Sequence, residues 1–332
     1  MNGMKNAVSK VSFGIIGTNF ISDWFVEASK QCEDTSISCV YSRSLETGSA
    51  FAKKHGIERV YTDYSEMLND SGINAVYVAS PMFCHCEHTL KALRAGKHVL
   101  CEKMIAADHS EISEMRNEAI SRDLVLLEAM RQDFDPSSHL VKEYIKRLGH
   151  IRRVMFEYCQ YSSRYDKFKE GCVLNAFDPS MKNSALADIG IYPLHSCISL
   201  FGLPEKISSC SVFLENGFEG AGVTTLSYGD MIASVIYSKI SQSVNPSVIE
   251  GEDGSLTIDK INDPQKIIYY PKGAEPTVLQ CRKLENNMVY EIGAFCDMVN
   301  GKTDYLRYLD DSEKTMRCVD EIYKCSGISF GK

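Results

Sequence analysis

At 332 residues, 44% hydrophobic and 24% charged, the chain holds apolar material for about two globular domains. A net charge of −8 excludes a nucleic-acid groove or a polybasic membrane surface as its main binding feature, so neither nucleic acid nor membrane is expected as a partner. Thirteen cysteines, an odd number without regular spacing, fit reduced thiols in a cytoplasmic protein. No apolar run approaches the ~18 residues that span a bilayer.

The opening MNGMKNAVSK is expected to be a flexible lead into a first strand. The apolar stretch after it is too short for a signal peptide and no small-residue cleavage site follows. From Val11 to about Ala129, strand-like and helix-like runs alternate. Val11–Ile16 is a compact apolar run closed by Gly17, and Phe20–Cys32 has helical spacing. Ile37–Tyr41 reads as a strand and Leu45–His55 as a helix ended by Gly56. Asp63 reads as the N-cap of a helix over Tyr64–Leu68. Asn74–Ser80 is a buried strand stopped by Pro81, and Phe83–Ala95 a helix ended by Gly96. His98–Cys101 is another strand, Asp108 starts a helix, and Leu124–Leu127 is the last strand. This rhythm predicts an α/β domain over residues 1–129: a doubly wound parallel sheet of the Rossmann kind, with ligands beyond the carboxyl ends of its strands.

After about residue 150 the rhythm changes. Arg153–Tyr161, Ile207–Leu214, Gly222–Tyr228, Met231–Ile240, Ser255–Ile258 and Lys266–Tyr270 read as strands following one another through short turns, with Asn216–Gly217 and Gly229–Asp230 as hairpins. Helices are expected near Ile189–Phe201, Glu285–Val299 and Ser312–Cys325. Residues 130–332 are therefore expected to form an α+β domain on a large, mostly antiparallel, open-faced sheet.

GIIGTNFIS follows the first strand and opens the first helix, the context of a dinucleotide fingerprint. Aligned on G-x-G-x-x-G it offers Gly17, Asn19 and Ser22; asparagine tolerates positive φ and serine allows close packing. Thr18, Asn19, Phe20 and Ile21 would present backbone N–H groups and a helix N-terminus to a diphosphate. The second strand ends in Ser42 and Arg43, not in an acidic residue, which favours NADP over NAD because Arg43 can pair with a 2′-phosphate. Lys103 is delivered by GKHVLCEKM to the carboxyl end of a buried strand, where an ammonium is costly unless it has work to do.

These segments, with SRS, ASPMFCHCEHTLKALRAGKHVLCEKM, EAMRQDFDP, ALADIGIYPLHSCISLFGLP and the closing DDSEKTMRCVDEIYKCSGISFGK, resemble the Gfo/Idh/MocA family over essentially the whole chain. The ADIGIY segment is more similar to its glucose-fructose oxidoreductase and dihydrodiol dehydrogenase branch than to its inositol dehydrogenases. Three positions depart from the family pattern: Met104 replaces a proline often found in cis, Asn183–Ser184–Ala185 replace a glycine run, and Asn19 replaces the second fingerprint glycine.

The resemblance implies Lys103 at the nicotinamide, bonding the reacting hydroxyl, and Tyr192 as proton donor and acceptor, with Asp188 orienting them or the ring. It places His85 near the nicotinamide, with Ser80 and Pro81 on the same wall and Glu102 among the cofactor contacts. In an extended strand Glu102 and Lys103 point to opposite sides, so the glutamate need not quench the lysine. Asp188, Tyr192 and His195 are spaced to share one helix face, with Pro193 near its start. His195 is a secondary candidate for substrate contact, as are Arg131 and Arg164, the latter within an irregular stretch (161–188) of the kind that forms lids. Cys84 and His88 lie one helical turn apart, but no second cluster completes a metal site, and no metal is expected.

The reading is an oxidoreductase that moves hydride between NADP or NAD and a hydroxyl or carbonyl of a sugar, polyol or related small molecule. The alternative is a dinucleotide- or sugar-sensing regulator on the same fold, as the family's yeast galactose-pathway repressor exemplifies. An open sheet face on the second domain points to a homodimer or homotetramer.

Overall fold

The computed structural model describes residues 10–330, so the expected N-terminal lead falls, Lys10 apart, outside the described residues. Strands and helices alternate as β1 (Val11–Ile16), α1 (Phe20–Ser29), β2 (Thr35–Tyr41), α2 (Leu45–His55), β3 (Arg59–Tyr61), α3 (Tyr64–Leu68) and β4 (Ala75–Val78). The chain continues through α4 (His85–Arg94), β5 (His98–Cys101), α5 (His109–Ser121), β6 (Leu126–Glu128) and α6 (Pro136–Tyr144). Next come β7 (Ile151–Cys159), α7 (Tyr165–Lys169), α8 (Ile191–Phe201), β8 (Lys206–Phe213), β9 (Glu219–Ser227) and β10 (Ile232–Ser238). It ends with β11 (Ser247–Gly251), β12 (Gly254–Ile258), β13 (Lys266–Pro271), β14 (Thr277–Gln280), α9 (Met288–Val299) and α10 (Leu306–Ser326).

Two compact units result. The first takes the described residues up to Ile105, then Glu111–Arg131 and Leu284–Leu309; the second takes Ala106–Ser110, Gln132–Lys283 and Asp310 onward. The return of Leu284–Leu309 differs from the contiguous division at 129/130 that the sequence suggests. Its cause is apolar: Phe295 of α9 is fully buried and packs 5.5 Å from Phe13 of β1, while Asn286 Nδ2 donates to the Trp24 carbonyl at 2.9 Å.

The first unit holds six parallel strands in the order β3-β2-β1-β4-β5-β6. VSFGII, AVYV and HVLC are near-continuous apolar runs because helices cover both faces. Phe25 stacks on Tyr77 at 3.8 Å and meets Phe13 edge-on at 5.2 Å, so the core is an aromatic cluster under α1 and α9. Helix ends obey local chemistry: the Asp63 carboxylate accepts from the Ser65 and Glu66 amides, and Gly56 closes α2 at φ 72°. The strand order reverses between β1 and β4, which puts the ligand crevice at their carboxyl ends.

The second unit is built on eight strands in the order β14-β13-β12-β11-β7-β10-β9-β8. All neighbours are antiparallel except β7 and β10, which run parallel. The chain after Cys159 builds α7 and α8 before β8, in keeping with the helix expected near Ile189–Phe201, and β7 becomes an interior strand of the sheet, parallel to β10 where mostly antiparallel pairing is expected. Short strands β3, β11 and β14 and the helix α6, capped by Asp135 with Pro136 in its first turn, lack a clear sequence signal. Strand alternation leaves Val212, Val223, Ile232 and Val278 exposed on one face, while Val154, Phe156, Val235 and Ile249 are buried on the other.

Phe295→Ala is expected to lower stability by about 3–5 kcal/mol. A urea midpoint that does not move would show that α9 contributes nothing to the first unit.

Candidate active site

Gly17 follows β1 at φ +103°, and a Cβ there would lie 2.5 Å from the Ala79 carbonyl oxygen that ends β4. Only glycine lets the two strand ends approach so closely. Asn19 does not take the positive φ that the fingerprint alignment anticipates. It lies at φ −91° and caps α1: its Oδ1 accepts from the Ile21 and Ser22 amides, and its Nδ2 donates to Ala79 O at 3.0 Å. Asparagine thus replaces a glycine by tying the phosphate-loop position to β4. Thr18 is half-buried and Phe20 exposed at the same loop.

Ser42 Oγ accepts from the Ser44 amide after β2, and Arg43 is exposed, with its charge felt by Cys84 and His88. His88 Nδ1 bonds Ser80 Oγ at 2.9 Å, which engages the second residue of the Cys84/His88 pair in a local contact. Among the described residues no group of three or more His, Cys, Asp or Glu side chains is arranged to hold a metal ion.

Beyond β5 the Glu102 amide still donates to Val78 O at 2.9 Å, and the Lys103–Met104 peptide bond is cis. Buried groups pin this turn from two sides. His85, only 1% exposed, places Nδ1 2.8 Å from Met104 O and Nε2 2.8 Å from Ser80 O, and Glu128 Oε1 accepts from the Ile105 amide at 3.0 Å. His85 therefore braces the wall that Ser80 and Pro81 form and does not offer a nitrogen to a ligand. Two carbonyl partners favour the protonated ring, but burial outweighs them and pulls its pKa from 6.5 to about 4.

Glu102 Oε1 accepts from Tyr77 Oη at 2.5 Å and its Oε2 from the Lys103 amide at 3.3 Å. Burial raises its pKa, and the Lys103 charge is among the groups opposing that rise. The Lys103 charge thus bears on Glu102. Arg131, offered by the sequence as a substrate contact, belongs to the first unit, where its charge bears on Glu102 and on buried Glu291. Glu291, from the returning helix, carries no sequence signal at all.

In the second unit Leu186–Gly190 forms a π-helical turn leading straight into α8. Asp188 sits in that wider turn, so the α-helical spacing expected to align it with Tyr192 and His195 does not hold. At the start of this turn, where the first amides have no helical acceptor, buried Glu219 accepts from the Leu186 amide at 2.9 Å and Ser184 Oγ from the Ala187 amide at 3.0 Å. Asp188 Oδ2 pairs with Lys239 Nζ at 2.8 Å. Tyr192 lies in the first turn of α8, with Pro193 beside it as expected; its ring meets Tyr158 edge-on at 5.8 Å and its carbonyl accepts from Gln132 Nε2 at 3.0 Å.

His195 is fully buried, with Nε2 2.8 Å from Asp133 Oδ2 and Nδ1 3.1 Å from Thr315 Oγ1. Both nitrogens are spent inside the unit, which corrects its candidacy for substrate contact. Arg164 is an exposed residue at the start of α7. The stretch around it is less a lid than a packed segment: Phe168, Ala176 and Phe177 are buried against Phe218. At the end of β7 a groove of ≈ 400 Å³ is lined by Glu157, Tyr158, Gln160, Gln242, Asn245 and Asp259, among others.

A glycine turn at the switch point of a parallel six-stranded sheet, beside a braced lysine, defines a dinucleotide-binding unit whose residues fit a nicotinamide cofactor. The profile of an oxidoreductase family with an NAD-binding Rossmann fold matches residues 11–129. The scyllo-inositol 2-dehydrogenase (NADP(+)) IolU of Bacillus subtilis (strain 168) is 42% identical over 96% of this chain and 98% of its own length. A trans-1,2-dihydrobenzene-1,2-diol dehydrogenase of Homo sapiens is 30% identical over 96% of both chains. Among solved structures, a 3-ketoreductase from Actinomadura kijaniata in complex with NADP and TDP-benzene has a TM-score of 0.85 at 21% identity, covering 96% of this chain and 98% of that one, a likeness of fold. The chain belongs to the Gfo/Idh/MocA oxidoreductase family and is a nicotinamide-dependent oxidoreductase. No helix among the described residues is long and apolar enough to cross a membrane.

Gly17→Ala forces a side chain against the Ala79 carbonyl, and NADP affinity is expected to fall at least about tenfold in a fluorescence titration; unchanged binding would contradict the close approach. His85 supplies a pH test. Because its folded pKa lies below the ordinary value, the unfolded chain takes up the proton more readily, so its contribution is complete above about pH 6.5 and is lost as pH falls toward 4. Near pH 5 the loss should be about 2 kcal/mol relative to neutral pH. Denaturation curves of His85→Gln should lack that part of the slope.

Proposed function

We propose that this protein moves hydride between NADP, with NAD as the second choice, and a secondary hydroxyl or carbonyl of a sugar or polyol. In this reading the first unit binds the dinucleotide and the second the substrate, Lys103 and Tyr192 handle the proton, and Asp188 orients them. What carries the reading is the bracing of Lys103: buried His85 and Glu128 fix the backbone immediately after it, an investment that a merely solvated lysine does not need.

When bound, the nicotinamide gives or accepts the hydride. Lys103 holds the reacting oxygen by hydrogen bonding, and Tyr192 exchanges a proton with it. Arg43 favours a 2′-phosphate, and the NADP-dependent naming of the inositol dehydrogenase relative agrees. The groove at the end of β7 supports a hydroxyl-rich substrate, because its amides and carboxylates offer acceptors and donors that an apolar ligand would leave unsatisfied. The same relative acts, by its name, on scyllo-inositol. The regulatory alternative finds no support among relatives named as dehydrogenases.

The exposed apolar row across β8, β9 and β10 supports self-association through the open sheet face. Reduced thiols favour a cytoplasmic location, and no disulfide joins any of the thirteen cysteines.

Incubation with NADP and a panel of inositols, hexoses and polyols should generate absorbance at the reduced-nicotinamide wavelength. Lys103→Met and Tyr192→Phe should each lower kcat by about 10²–10⁴, and full turnover by Lys103→Met would overturn the assigned roles. Light scattering should report at least a dimer, converted toward monomer by Val223→Glu with Ile232→Glu; a wild-type monomer at micromolar concentration counts against the interface.

A further inference from the structure

Lys239 follows β10 and is not suggested by any motif. Its side chain is 4% exposed, and its Nζ donates to the Ala176 carbonyl at 2.7 Å and pairs with Asp188 Oδ2 at 2.8 Å. The ammonium also lies 4.9 Å from the centroid of Phe177 and 5.2 Å from that of Phe218, both fully buried rings. A flexible, strongly hydrated side chain has thus been placed in a box of two aromatic faces and a carbonyl, with a carboxylate at its mouth. Asp188 is 37% exposed. The cation is therefore the inner member of the pair and cannot itself meet a ligand, whereas the carboxylate can.

We infer that Lys239 is a positioning residue for the reaction: it holds the Asp188 carboxylate ionised and in one orientation at the head of α8. The inference rests on the role proposed above for Asp188. A buried ammonium needs a counter-charge, so Asp188 remains a carboxylate and serves as a fixed negative acceptor, not as a carrier of protons. Glu219 completes the device from the neighbouring strand, since its carboxylate fixes the backbone of the same π-turn at Leu186. Backbone and side chain of the turn are then anchored separately to β9 and to the end of β10, leaving little freedom to the group that faces outward.

The test is a double-mutant cycle on the full-length protein with NADP and whichever polyol or sugar the wild type turns over. Methionine at position 239 keeps the length and suits the two phenylalanine faces, so Lys239→Met is expected to fold. Its kcat should fall about tenfold or more while KM for the substrate and Kd for NADP stay within about twofold. Lys239→Met with Asp188→Asn should be no worse than the poorer single variant, and Lys239→Arg should recover part of kcat. Wild-type kcat in Lys239→Met, or losses that multiply in the double variant, would overturn the role. If Lys239→Met does not fold, Lys239→Gln, which keeps a donor without charge, carries the same comparison. A wild type that turns over no polyol or sugar removes the functional reading and this role with it; wild-type turnover with an unaffected position 239 removes the role alone.

Discussion

Two carbonyl oxygens from different strand ends, Ser80 O after β4 and Met104 O after β5, converge on the one buried imidazole of His85. Burial keeps that ring neutral near physiological pH, so it can donate from one nitrogen only. The gain is geometric: the ring donates to one of the two carbonyls and stands as a rigid, dry spacer between the turn carrying Lys103 and the wall that Ser80 forms. Glu128 takes the next amide, and the segment from Lys103 to Ile105 has little freedom left. In the role proposed for it, a lysine on an unbraced loop would spread over many positions and hold a reacting oxygen poorly.

The second unit solves the same problem with charge. Glu219, Lys239 and Asp133 are all buried, and each meets a partner: the Leu186 amide, the Asp188 carboxylate and the His195 ring. Removing the partner of a buried charge such as Lys239 would leave that charge dry and uncompensated, which is the costly arrangement. The Asp133 contact accommodates His195, a polar side chain in a helix that is otherwise largely core. The same contacts cap the start of the π-turn, whose Leu186 and Ala187 amides have no helical acceptor.

Where a residue's role depends on its immediate neighbours, it is legible in the chain. Gly17 after a strand, Asp63 before a helix and Gly56 after one all act as their local chemistry dictates, and the six-stranded parallel sheet follows from alternation of short apolar runs with amphipathic ones. Asn19 shows the limit. Its φ tolerance is a local property and suggests a substitute glycine, yet the structure uses its amide to join α1 to β4. His195 fails as a substrate candidate for a related reason: spacing along a helix says which face it occupies, but not that Asp133 and Thr315 wait on that face.

By itself the sequence determined the class of the first sheet, the antiparallel character of the second, the glycine turn, and the lysine and tyrosine that the family pattern marks. The sheets and the turn rest on periodicity and on turn residues, both short-range, whereas the lysine and the tyrosine are marked only by the resemblance to the family. The tertiary structure alone decided that Leu284–Leu309 returns to the first unit, that β7 and β10 run parallel, and that Lys239 stands behind Asp188. A buried charge is stable only opposite its counter-charge, and nothing local to Lys239 or to Asp188 names the other. Their pairing exists only once β10 and the π-turn have been brought together by the fold.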